Sequence, residues 1–169
     1  MRVLIWTTHP GDVLGEAITF LTHGPAQHAG FLRLNGLCHE AYMPKVRDRK
    51  LKRAEQQFVR ILRLVGPADA PVTDSMEAKF ERLFDLNIQA GVEYSIADLF
   101  RYQLGMDMGG DQQTICSRYV FHCIPMCCGA AFAPLVRCSE DQVAPRDLLI
   151  SPRLIEETWD QHPETQWDG

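Results

Sequence analysis

The stretch Gln27-His28-Ala29-Gly30-Phe31-Leu32-Arg33-Leu34-Asn35-Gly36-Leu37-Cys38-His39-Glu40-Ala41-Tyr42 decides how this chain is read. Asn35-Gly36 is the strongest short-range signal for a β-hairpin, and alternating apolar positions flank it. The hairpin opens its first strand with a histidine and carries an acidic residue near the end of its second. A histidine and a carboxylate on adjacent strands can act as a general base and the partner that orients it. The pair lacks a nucleophile.

Register decides whether the two groups meet. A two-residue loop at Asn35-Gly36 places His28 on one face with His39 and Ala41, and Glu40 then points away. A three-residue loop, Leu34-Asn35-Gly36 with Gly36 left-handed, sets Glu40 across from Gly30 on the His28 face. Tyr42 then falls opposite His28. We prefer the second register because only the small Gly30 separates base and carboxylate. His39 stands as the alternative third member under the first.

The length of 169 residues suits one domain with a substantial core. A net charge of −5 argues against nucleic acid as the main partner. No apolar run reaches the ~20 residues a membrane helix needs. The start, Met1-Arg2-Val3-Leu4-Ile5-Trp6, reads as a buried strand rather than a signal peptide, so cytoplasmic localisation is expected, with export by another route left open. The positive charge gathers between 45 and 63, where the apolar spacing of Leu51, Ala54, Phe58, Ile61, Leu62 and Val65 predicts a helix over 48–65. Such a basic helix would suit an anionic surface or a solvated face.

Further helices are expected from Asp74 to Gly91, from Ser95 to Leu104, from Thr114 to a stop at Pro125, and from Arg153 to Trp159. The first two, with 48–65, form a helical insertion of about 48–104. Pro145 to Pro152 reads as a short strand.

Of the six cysteines, Cys116 is the best placed for reactivity. It lies just inside a predicted helix that follows the Gly-rich loop at 106–113. A helix N-terminus carries about half a positive charge and free N–H groups, which favour a thiolate and can hold an oxyanion. Cys38 is mid-strand, and Cys123, Cys127 and Cys128 lie deeper in apolar sequence. A buried structural thiol is the competing reading of Cys116. The cysteines and His122 show no paired zinc-ligand spacing, so neither a metal nor a cofactor is expected.

The order of short motifs resembles the permuted NlpC-type, papain-like cysteine hydrolases, a group that includes YiiX-like proteins and the lecithin:retinol acyltransferase relatives. The matching segments are Gly11-Asp12, His28-Ala29-Gly30, His39-Glu40-Ala41, Gly91-Val92-Glu93-Tyr94, Cys116-Ser117, and Pro145-Arg146-Asp147-Leu148 with Ser151-Pro152. The resemblance implies an α+β papain-like domain with a small antiparallel sheet packed on helices. It also implies a thiol hydrolase in which Cys116 attacks an acyl carbonyl, His28 takes its proton and Glu40 orients the imidazole. Gln113, Tyr42 and His23 are candidates for contacts to the oxyanion or substrate. A peptide, isopeptide or acyl-amide substrate is expected. Lipid acyl transfer on the same fold and a catalytically silent binding module are the alternatives.

Overall fold

The computed structural model describes residues 1–8, 16, 18–20, 24–95, 97–98, 101, 113–135 and 143–169. The strands are β1 (Arg2–Thr7), β2 (Ala26–Leu32), β3 (Cys38–Tyr42), β4 (Lys45–Arg49), β5 (Leu51–Lys52) and β6 (Val59–Leu64), then β7 (Glu93–Tyr94), β8 (Gln113–Thr114), β9 (Leu154–Glu157) and β10 (Trp167–Asp168). The helices are α1 (Asp74–Ala90), α2 (Cys116–Cys128) and the short α3 (Pro145–Leu149). Eight of the described strands form one sheet in the order β8-β7-β4-β3-β2-β1-β6-β9, antiparallel except for β7 with β8. The architecture is α+β, and the sheet is larger than the small one expected.

Strand parity sorts the residues onto two faces. Val3, Ile5, Phe31 and Leu62 pack with Phe80 and Phe84 of α1 and Val120 and Ile124 of α2. Leu4, Trp6, Leu32 and Ile61 form a second cluster on the opposite face, closed by Trp159 and Trp167.

The hairpin takes the three-residue loop. Gly30 pairs with Glu40 and Phe31 with His39. Arg33 and Leu37 bracket the turn through Arg33 N–H to the Leu37 carbonyl at 2.9 Å, and Gly36 sits at φ 80°. That conformation favours glycine. A Cβ there would also lie 1.9 Å from the Glu164 carbonyl oxygen.

Four segments depart from the sequence expectations. The segment 48–65 is not a helix: it holds the end of β4, β5, a 3-10 turn at Arg53–Phe58 and β6. Strand β6 lies between β1 and β9, and its apolar residues are buried on both faces. Burial on both faces erases the alternation that marks a strand and leaves a spacing that imitates a helix. The basic helix goes with it: Arg47 and Arg49 bind Glu40, Arg60 binds Glu156 and Arg63 binds Glu157.

Helix α2 does not stop at Pro125 but runs on to Cys128. The burial of Ile124, Cys127 and Cys128 outweighs the one intrahelical bond that proline removes. Pro145 to Leu149 is a helix, with Pro145 in its first turn and Asp147 Oδ2 accepting the Ala144 N–H at 2.8 Å. Leu154–Glu157 is an edge strand on β6 rather than a helix. Helix α1 forms as expected, although its N-cap is Thr73, whose hydroxyl accepts the Met76 N–H. Most of 95–104 and the Gly11-Asp12 motif lie outside the described residues.

Candidate active site

Strand β2 presents His28 on the face opposite α1, beside Trp6 of β1, with ring centroids 4.9 Å apart. Glu40 comes to the same face across the hairpin, and its Oε2 accepts from His28 Nε2 at 3.0 Å. Gly30 lies between them as the register requires. A Cβ on Gly30 would stand 2.8 Å from the His39 carbonyl oxygen and 3.2 Å from Glu40 Cβ. No larger residue fits without displacing the carboxylate.

Glu40 is fully buried and carries two further cations. Strand β4 alternates, so Arg47 and Arg49 share one side, and Glu40 pairs directly with Arg47. Oε1 accepts Arg47 Nε and Nη2 at 3.0 and 2.9 Å and Arg49 Nε at 2.8 Å. Burial alone would raise the Glu40 pKa. The hydrogen bond from His28 and the charges of His28 and Arg49 outweigh it and hold the carboxyl well below its usual range.

Cys116 is the first residue of α2 and is buried. Its N-cap is Ile115, whose side chain cannot cap the helix. Ser117 anchors this end by donating its hydroxyl to the Val143 carbonyl at 2.6 Å. Cys116 is an electrostatic neighbour of both His28 and Tyr94. Burial disfavours a charged His28 ring, but the Cys116 thiolate and Glu40 on its two sides outweigh that and raise its pKa to about 9. Tyr94 is pushed upward by burial and by the same thiolate. The other described cysteines are free, buried and raised, Cys127 and Cys128 to about 11, mainly by burial.

The candidates from the sequence therefore fare differently. Cys116, His28 and Glu40 come together. Tyr42 flanks His28 edge-on at 5.4 Å and lines a cavity of about 390 Å³ together with His28, Trp6 and Tyr94. His23 and the side chain of Gln113 lie outside the described residues.

His39 does not join the site. It points to the helix face, where Nδ1 donates to Asp48 Oδ1 at 2.6 Å and Nε2 accepts the Tyr119 hydroxyl at 2.7 Å. Tyr119 in turn accepts Asn87 Nδ2 at 2.7 Å. Burial lowers the His39 pKa, consistent with this neutral tautomer.

Sequence reasoning missed Arg47, Arg49 and Tyr94 as members of the site. The alternation Lys45-Val46-Arg47-Asp48-Arg49 was the available signal for the arginines.

Fold and site define a class of α+β protein in which a sheet-borne histidine–glutamate pair faces a cysteine at a helix N-terminus. No family model and no curated protein matches the chain. Among solved structures it is similar to the metalloprotein YiiX from Escherichia coli O157:H7, with a TM-score of 0.67 and 14% identity over 99% of this chain and 97% of that one. The likeness is one of fold.

Proposed function

We propose that the protein is a thiol hydrolase of permuted papain-like architecture that cleaves an amide or ester through an acyl-enzyme on Cys116. The observation that carries this reading is the position of His28, which neighbours Cys116 electrostatically and donates its Nε2–H to Glu40 at 3.0 Å. With Nε2–H committed to the carboxylate, the other ring nitrogen is left to take the thiol proton. Glu40 stabilises the imidazolium that forms.

The thiolate attacks the acyl carbonyl, and negative charge moves to its oxygen. The first-turn N–H groups of α2 and the Tyr94 hydroxyl are the donors for that oxyanion. The His28 imidazolium then protonates the leaving amine or alkoxide as the C–N or C–O bond breaks. Water, deprotonated by His28, hydrolyses the thioester and returns the thiol. A peptide, isopeptide or acyl-amide substrate fits this chemistry.

YiiX is described as a metalloprotein. The residues here do not fit a metal at this position. Two guanidinium groups lie within 3.0 Å of the Glu40 carboxylate. Among the described residues no group of three or more His, Cys, Asp or Glu side chains is placed to hold an ion. The mechanism routes no step through one.

The test is alkylation by iodoacetamide at pH 6–7, followed by peptide mass spectrometry. Cys116 is expected to react well before Cys38, Cys123, Cys127 and Cys128, whose pKa values are raised, and His28→Ala is expected to remove that advantage. Equal reactivity of Cys116 and Cys38 would count decisively against the reading.

A further inference from the structure

The cavity beside His28 and Tyr94 has walls from Trp6, Phe58, Tyr42 and Met43. Among the described residues its charged lining is unbalanced: Arg47, Arg49 and Lys52 face a single carboxylate, Glu55. Glu55 Oε2 is already engaged by Arg49 Nη2 at 3.0 Å and by Trp6 Nε1 at 3.3 Å. Arg49 is fully committed, with its other nitrogens on Glu40 and the Lys50 carbonyl.

Two cations keep unspent donors among the described residues. Arg47 uses Nε and Nη2 on Glu40 and lies over the Tyr42 ring at 4.5 Å, which leaves Nη1 available. Lys52, exposed at the end of β5, makes no ion pair there, not even with Asp168, its register partner on β10. Among the described residues of this lining a cationic ligand would find no uncommitted carboxylate. An apolar group ending in an anion would find both aromatic walls and two free donors.

We propose that this cavity is a substrate subsite for an apolar moiety bearing a carboxylate, recognised by Lys52 and Arg47. The proposal rests on the hydrolase reading, because the cavity is lined by His28, the base of that reading, and by Tyr94. It narrows the substrate to an amide or ester with a free carboxylate close to the scissile bond. Lys52 acts as a specificity residue and takes no part in bond breaking.

The probes are three phenethyl chloroacetamides that differ only in their para group: carboxylate, carboxamide or aminomethyl. The rate of Cys116 alkylation by each is followed by intact mass at low ionic strength. The carboxylate probe is expected to react about fivefold faster than the carboxamide, the scale of one partly exposed ion pair. Added salt should shrink that ratio. Lys52→Gln should remove most of it, and Lys52→Glu should turn the preference toward the aminomethyl probe.

Because the His28 imidazolium also attracts anions, the decisive quantity is the dependence of the ratio on Lys52. Equal rates for the carboxylate and carboxamide probes, or a ratio that Lys52→Glu leaves unchanged, overturn the subsite while the hydrolase reading stands. If no probe labels Cys116 ahead of the other cysteines, the hydrolase reading falls and the subsite with it.

Discussion

Replacing Glu40 with Gln tests the site at its centre. The glutamine keeps the shape and an oxygen that can still accept from Arg47 and Arg49, but it removes the charge that three cationic groups share at 2.8–3.0 Å. Its amide nitrogen, turned to His28, would face a donor with a donor. Relief requires the proton on the other ring nitrogen, the tautomer that cannot accept from Cys116. Loss of one charge-assisted hydrogen bond to the imidazolium, about 1.5–3 kcal/mol, corresponds to about 10- to 100-fold less thiolate–imidazolium pair at neutral pH. The expected result is a fall of that size in the rate of Cys116 alkylation at pH 6. Thermal stability should also drop by about 1–3 kcal/mol, because the half-buried Arg47 and Arg49 lose the buried carboxylate they share. A Glu40→Gln variant that melts with the wild type and alkylates at the wild-type rate at pH 6 would refute the orienting role.

Three further outcomes follow from the same geometry. His28 is raised to about 9, so its contribution to stability is complete below its ordinary value of 6.5 and is lost as pH rises through about 9. Urea unfolding from pH 6.5 to 9.5 should therefore show a steeper decline in the wild type than in His28→Asn; parallel slopes would contradict it. Gly30→Ala places a methyl 2.8 Å from the His39 carbonyl oxygen, so a loss of about 1–3 kcal/mol and slower Cys116 alkylation are expected. A variant that keeps both wild-type stability and wild-type alkylation would show that the close approach is not needed. Tyr119→Phe takes the donor from His39 Nε2 and the acceptor from Asn87, and should cost about 1–3 kcal/mol in urea unfolding. A neutral effect would mean that the buried His39 finds another partner.

Local sequence determined the parts of the site that depend on short-range rules. Asn35-Gly36 within alternating residues specified the hairpin, and the need for a small Gly30 selected the register that joins His28 to Glu40. The apolar run after a Gly-rich loop placed the start of α2 near Thr114, within two residues of where it begins at Cys116. What only the tertiary structure decided was the environment of that pair. Whether 48–65 is helix or sheet depends on β6 being covered on both faces, a property of its neighbours and not of its own residues. That choice turned Arg47 and Arg49 from a solvated basic face into the counter-ions of Glu40, because a period of two places both across from β3 while a period of 3.6 would scatter them. Tyr94 reached Cys116 in the same way, through pairing between β7 and β8, strands of two residues each and too short to leave a pattern.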